Sequence, residues 1–83
     1  MFMPNHAQVH TRIVEFIAPL NTAGAAVDEG TRFADDLEFD SLTVMDLVAG
    51  IEDEWNIVLP LNMLPELETV GQLTNAVTKL ANK

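Results

Sequence analysis

The sequence predicts an all-α fold: a small four-helix bundle, three main helices plus one short helix, with a long first loop. Apolar residues recur at helical spacing in three separate stretches. Two of those stretches open on a residue pair spaced as a capping box. No pair of segments shows the alternation expected of paired strands. The 83 residues fit one domain, 1–83, and a chain this short buries only about 60% of its unfolded surface. It has no cysteine, so neither disulfides nor thiolate-bound zinc supplement the core.

Asn5 with Gln8 opens the first helix, and Val9, Ile13, Phe16, Ile17 and Leu20 form its buried stripe. Pro19 ends it, because the residue before a proline, Ala18, is pushed out of helical geometry. Residues 21–40 hold Gly24, Gly30 and Ala25-Ala26 without a sustained period and make the long loop. A loop of this length must be pinned, and Val27, Phe33 and Leu37 are its expected anchors. Asp40 is a good N-cap for the next helix, Ser41 to Trp55. There Val44, Leu47, Val48, Ile51 and Trp55 share a core face, while Leu42, Met45, Asp46, Ala49, Glu52 and Asp53 share the other. Gly50 inside this helix points to a close approach of a neighbour. Ile57 to Leu59 is extended, and Asn62 to Leu67 forms a short helical turn limited by Pro65. Thr69 with Gln72 opens the last helix, on which Val70, Leu73, Val77 and Leu80 face inward. Lys79 and Lys83 complement its C-terminal dipole.

Charge narrows the function classes. Thirteen acids against four bases give a net charge of -9. From Asp28 to Glu68 there are twelve acids, and Arg32 is the only base. Such a chain is repelled by nucleic-acid phosphates and anionic membrane surfaces. Its expected partners carry basic patches and associate fast and salt-sensitively. The second face of the Ser41–Trp55 helix sets apolar residues among acids, a mixture that suits recognition; solubility alone is the plainer account of the acids. No apolar run approaches the roughly 20 residues of a membrane span, and residues 1–6 lack the pattern of a secretory signal. The expectation is a soluble cytoplasmic monomer.

Catalytic and metal constellations are sparse. His6 and His10 share a helix face, yet no further ligand stands near them. A calcium loop starting at Asp36 would put Ser41 at the obligatory glycine and Leu47 at the bidentate glutamate, so that reading fails. Ser41 lacks a neighbouring base for nucleophilic catalysis, and no glycine-rich phosphate loop is present. What remains is a lone hydroxyl after an N-cap aspartate, which by itself is an ordinary helix-start residue.

In its surroundings that hydroxyl means more. Asp40-Ser41-Leu42 follows Asp36-Leu37 and precedes Leu47-Val48 and Ile51-Glu52-Asp53-Glu54-Trp55. Ile57, Leu59-Pro60 and Thr69-Val70-Gly71 follow in register. From about Phe33 to Leu80 this pattern resembles the acyl carrier protein family. The resemblance implies that Ser41 receives 4'-phosphopantetheine from coenzyme A through a phosphopantetheinyl transferase with magnesium, Asp40 and Leu42 flanking the attachment site. The arm's thiol then bears acyl chains as thioesters, and the carrier itself catalyses nothing. The resemblance further implies that synthases and acyltransferases with basic patches read Leu42, Met45, Asp46, Ala49, Glu52 and Asp53. Three acids, Asp36, Glu38 and Asp40, oppose the arm's phosphate, so a solvated phosphate and a mobile arm are expected. By family behaviour, Leu47, Val48, Ile51, Leu59 and Leu67 are where a core would open to shelter a chain.

The sequence departs from the family at several positions. Thr43, Val58, Leu61 and Met63 stand where acids are common, and Pro65 interrupts the short helix. Drift in a surface segment explains this, as does a specialised carrier for lipids such as sphingolipid or lipid A precursors, the latter by analogy only. A peptidyl or aminoacyl carrier would use the same serine, but Glu38-Phe39-Asp40 replaces the small residues and glycine usual there. An unmodified acidic helical adaptor that binds a basic protein is the alternative from another class.

Overall fold

The computed structural model describes residues 3–82. In chain order it contains α1 (His6–Ile17), a 3-10 turn (Ala18–Leu20), α2 (Ser41–Trp55), a 3-10 helix (Leu61–Glu66) and α3 (Val70–Ala81). Among the described residues there is no strand, and one isolated antiparallel bridge joins Arg32 to Thr69. The all-α bundle with a long first loop is the fold the sequence predicts.

Local chemistry sets the helix starts. Asn5 Oδ1 accepts the Gln8 N–H at 2.9 Å, and Gln8 Oε1 accepts the Asn5 N–H at 3.0 Å. Thr69 and Gln72 repeat this reciprocal box at the start of α3. Each pair satisfies N–H groups that a helix start leaves open. At α2 a single carboxylate does the work. Asp40 Oδ1 accepts both the Thr43 N–H and the Thr43 hydroxyl, each at 2.8 Å. Thr43, out of place for the family, is thus a second hook on the cap. These bonds, the backbone one foremost, hold the Asp40 carboxyl below the usual carboxylate range.

The end of α1 differs from the sequence expectation. Ala18 keeps right-handed helical geometry (φ -49°, ψ -50°), and the chain tightens into the 3-10 turn that carries Pro19. The prohibition before proline is a preference, and the change of turn type absorbs it. Asn56 ends α2 in left-handed geometry, a common helix stop. Lys79 sits in the last turn of α3, while Lys83 lies outside the described residues.

One apolar cluster forms the core: Val9, Ile13 and Ile17 from α1, Leu47, Val48 and Ile51 from α2, and Val70, Leu73 and Val77 from α3. Each large aliphatic removed from water here contributes roughly 1.5–3 kcal/mol. Val44 and Trp55, expected inside, are only half-buried at its edge. Trp55 meets Phe16 edge-on at 6.4 Å, and Arg12 lies 4.6 Å over the Phe16 ring while pairing with Glu54. The neighbour that Gly50 admits is this same ring: a Cβ at Gly50 would lie 3.3 Å from Phe16 Cε1.

The long loop is pinned as expected by Phe33 and Leu37, with Val27 half-buried; Phe39 is buried too, stacked on Phe33 at 6.3 Å. Its backbone is then stitched to the start of α3. Phe33 N–H donates to Glu68 O at 3.0 Å, Val70 N–H to Thr31 O at 2.9 Å and Gly71 N–H to Glu29 O at 2.8 Å. At Gly71 a Cβ would stand 2.8 Å from the Glu29 carbonyl oxygen, too close for any side chain. Glycine there is a condition of the seam.

Two outcomes test this account. Gly71→Ala is expected to destabilise by about 1–3 kcal/mol and to lower Tm by at least about 4 °C, because backbone must move; an unchanged melt would refute the close approach. The depressed Asp40 carboxyl stabilises the fold fully above about pH 4, and that contribution fades as pH falls through its lower folded value. Asp40→Asn keeps a cap without the titration. Below about pH 4 the native chain should therefore lose stability faster than Asp40→Asn, and parallel denaturation curves would contradict the assignment.

Candidate functional site

The stitched loop and the first turn of α2 converge at Ser41. Arg32 O accepts the N–H groups of Asp36 and Leu37, both at 3.1 Å, and Phe39 N–H donates to Phe33 O at 2.9 Å. Glu38 links these turns with a positive φ of 57°, a left-handed conformation uncommon for a non-glycine residue. The result delivers Asp40 to the helix start and leaves Ser41 at the first helical position, exposed.

Ser41 opens on a groove of about 600 Å³. Phe33, Phe39, Val44 and Met45 line it, and the 3-10 helix and its exit contribute Leu61, Leu64, Pro65 and Leu67. The walls are mostly apolar; the charged groups around it are Arg32, Asp35, Asp40 and Glu68. An alcohol thus stands at a helix N-terminus beside an apolar trough.

Most of the face expected for partners is turned outward. Leu42 is 76% exposed and Met45 49%, and Asp46, Ala49 and Asp53 are exposed as well. Glu52 is different: it is half-buried, and its Oε2 accepts the Leu59 N–H at 2.8 Å. It secures the extended 57–59 segment to α2, a role that helical sorting does not reveal.

The chain-sheltering set expected by family behaviour is divided. Leu47, Val48, Ile51 and Leu59 lie in the closed core, and only Leu67 reaches the groove. The groove is lined instead by Phe39, Leu61 and Leu64, which periodicity did not mark because loop and 3-10 residues have no helical stripe. Of the apolar departures, Met63 packs against the core, whereas Val58 and Leu61 stay 75% and 73% exposed. His6 Nε2 meets Glu29 Oε1 at 2.7 Å, and His10 is half-buried with no hydrogen-bond partner on its buried Nδ1. Among the described residues no group of three or more histidines and carboxylates is arranged to hold a metal ion.

Known proteins share this pattern. A family model described as a phosphopantetheine attachment site matches residues 12–77. An acyl carrier protein of Rhodococcus erythropolis is 32% identical over 69 residues, 83% of this chain and 74% of its own length. One from Tropheryma whipplei is 30% identical over 71 residues, 80% of this chain and 87% of that protein. The mitochondrial acyl carrier protein of Saccharomyces cerevisiae is 31% identical over 75 residues, and this chain spans 60% of its length. With the family match covering most of its length, the chain belongs to the acyl carrier family, whose members bear acyl groups on covalently attached 4'-phosphopantetheine.

Proposed function

We propose that Ser41 is the residue that carries the arm. The observation behind this reading is the exposed Ser41 hydroxyl at the first position of α2, opening directly on an apolar groove. Loading then consists of one substitution at phosphorus. Ser41 Oγ gives up its proton and forms a bond to the phosphorus of coenzyme A's phosphopantetheine, and the nucleotide portion leaves. The transferase and its magnesium supply the catalysis; the carrier supplies an accessible nucleophile. Asp40 keeps the first turn of α2 formed, so the hydroxyl stands at a fixed place.

The thiol end of the arm bears the acyl chain, and the groove beside Ser41 offers the chain its first apolar contact. Synthases and acyltransferases approach over Leu42, Met45, Asp46, Ala49 and Asp53, where acids steer a basic surface and apolar atoms hold it. Glu52 supports this face from beneath through Leu59. A charge of -9 on every copy favours a monomer, and a cytoplasmic setting suits the bacterial relatives. None of the helices is long and apolar enough to cross a membrane, among the described residues.

A specialised lipid pathway is favoured over bulk fatty-acid synthesis by one feature. Val58 and Leu61, in positions commonly acidic in the family, add apolar surface on both sides of Pro60 without joining the core. A dedicated partner gains from such surface, whereas a carrier read mainly by charge has no use for it.

Incubating the apo-chain with coenzyme A, magnesium and a broad-specificity transferase should add the mass of one arm, and Ser41→Ala should add none. A gain that survives Ser41→Ala, or its absence in the native chain, would overturn the assignment. Replacing Asp46 and Asp53 together by Lys should slow loading about tenfold at low salt, with the difference shrinking as salt screens the charges. Equal rates at low salt would remove this face from recognition; Glu52 is left intact because it also holds backbone.

A further inference from the structure

We propose that Arg32 is the counter-ion of the arm: its guanidinium exchanges Asp35 for the phosphodiester on Ser41 and lays the arm along the groove. The inference rests on Ser41 being the attachment residue. Arg32 and Ser41 line the same groove, and every other charged residue lining it, Asp35, Asp40 and Glu68, is an acid. A phosphodiester adds a permanent negative charge to that setting. Left without a cation it would be driven into solvent, as the acids alone suggest. Arg32 is the one base between Asp28 and Glu68, and it stands here.

Its backbone is fixed and its side chain is not. The bridge to Thr69 and the Arg32 N–H donated to Asp36 Oδ2 at 2.8 Å hold the main chain. The guanidinium, on a side chain 59% exposed, touches Asp35 through a single nitrogen at 3.2 Å, and the Asp35 side chain is 71% exposed. An exposed single-contact pair of this kind contributes little. Exchanging one carboxylate for a phosphate therefore costs little, and the planar guanidinium fork matches two phosphate oxygens better than one carboxylate oxygen. The positive end of α2, where Ser41 sits, favours the same anion. Together these groups turn a tether expected to swing freely into one that rests against Phe33, Phe39 and Met45.

The test uses isotope-labelled holo-protein whose arm has been verified by intact mass, read by the phosphorus resonance and the Arg32 Nε–Hε cross-peak. That cross-peak should move between apo and holo forms, and stay in place when Ser41→Ala is treated identically. The phosphorus line of the native chain should be about twofold broader than that of Arg32→Gln, because a held phosphate tumbles with the protein. Arg32→Lys should fall between them, and Asp35→Asn, which removes the competing carboxylate, should match or exceed the native width. High salt should abolish the differences. Equal phosphorus lines in all four proteins, or an Arg32 cross-peak indifferent to the arm, would overturn the inference while leaving Ser41 in place. Absence of the mass gain would instead overturn the Ser41 assignment and this inference together.

Discussion

The seam between the long loop and the start of α3 governs the molecule. Three backbone hydrogen bonds, from Phe33, Val70 and Gly71, tie residues 29–33 to residues 68–71. Without them the loop would be held by its apolar anchors, its own internal hydrogen bonds and the His6–Glu29 contact, and ordering some twenty residues carries a large entropic cost. With them, Phe33 and Leu37 are held in the core, Phe39 stacks on Phe33, and Asp40 arrives at the helix start it caps. The missing side chain of Gly71 is what lets the two backbones meet. A site at the far end of the loop thus depends on a contact made at its middle.

The same seam explains why the groove is apolar and where it lies. The loop supplies Phe33 and Phe39, α2 supplies Val44 and Met45, and the 3-10 helix supplies Leu61 and Leu64. Pro65 fits the 3-10 helix because a proline costs a short, loosely bonded segment less than a regular helix interior. Glu52 contributes from the opposite direction by fixing Leu59, which leads into that segment. Core and groove are therefore separate compartments: Leu47, Val48, Ile51 and Leu59 stabilise the fold, and a different set of apolar residues lies around Ser41.

Electrostatics divides labour in the same way. The exposed acids on α2 act at a distance, through a field that salt weakens. Asp40 acts at contact: its carboxylate keeps its charge, accepts the two bonds from Thr43 and so holds the first turn of α2. Arg32 is the exception in an acidic neighbourhood, and its value lies in being there at all. An acyl carrier needs an arm that can leave for an enzyme and return, and weak exposed pairs serve that need better than deep ones.

The amino-acid sequence by itself determined the helices, because capping pairs and apolar stripes are local: Asn5 with Gln8, Asp40, and Thr69 with Gln72 cap where expected, and Ile13, Ile51 and Leu73 are buried, while Val44 and Trp55 stay at the edge of the core. It also determined the family, since Asp40-Ser41-Leu42 and its flanking register are linear features. The tertiary structure alone decided what depends on residues distant in the chain. Gly71 meets Glu29, Phe16 fills the space over Gly50, Glu52 reaches across to Leu59, and Phe39 and Leu61 join Ser41 around one groove. Periodicity reports which way a side chain points along its own helix, but not what another segment brings to meet it. For that reason Glu52, solvent-facing by its angle on the helix, proved to be a brace, and the apolar trough beside Ser41 emerged only when loop, α2 and 3-10 helix were folded together.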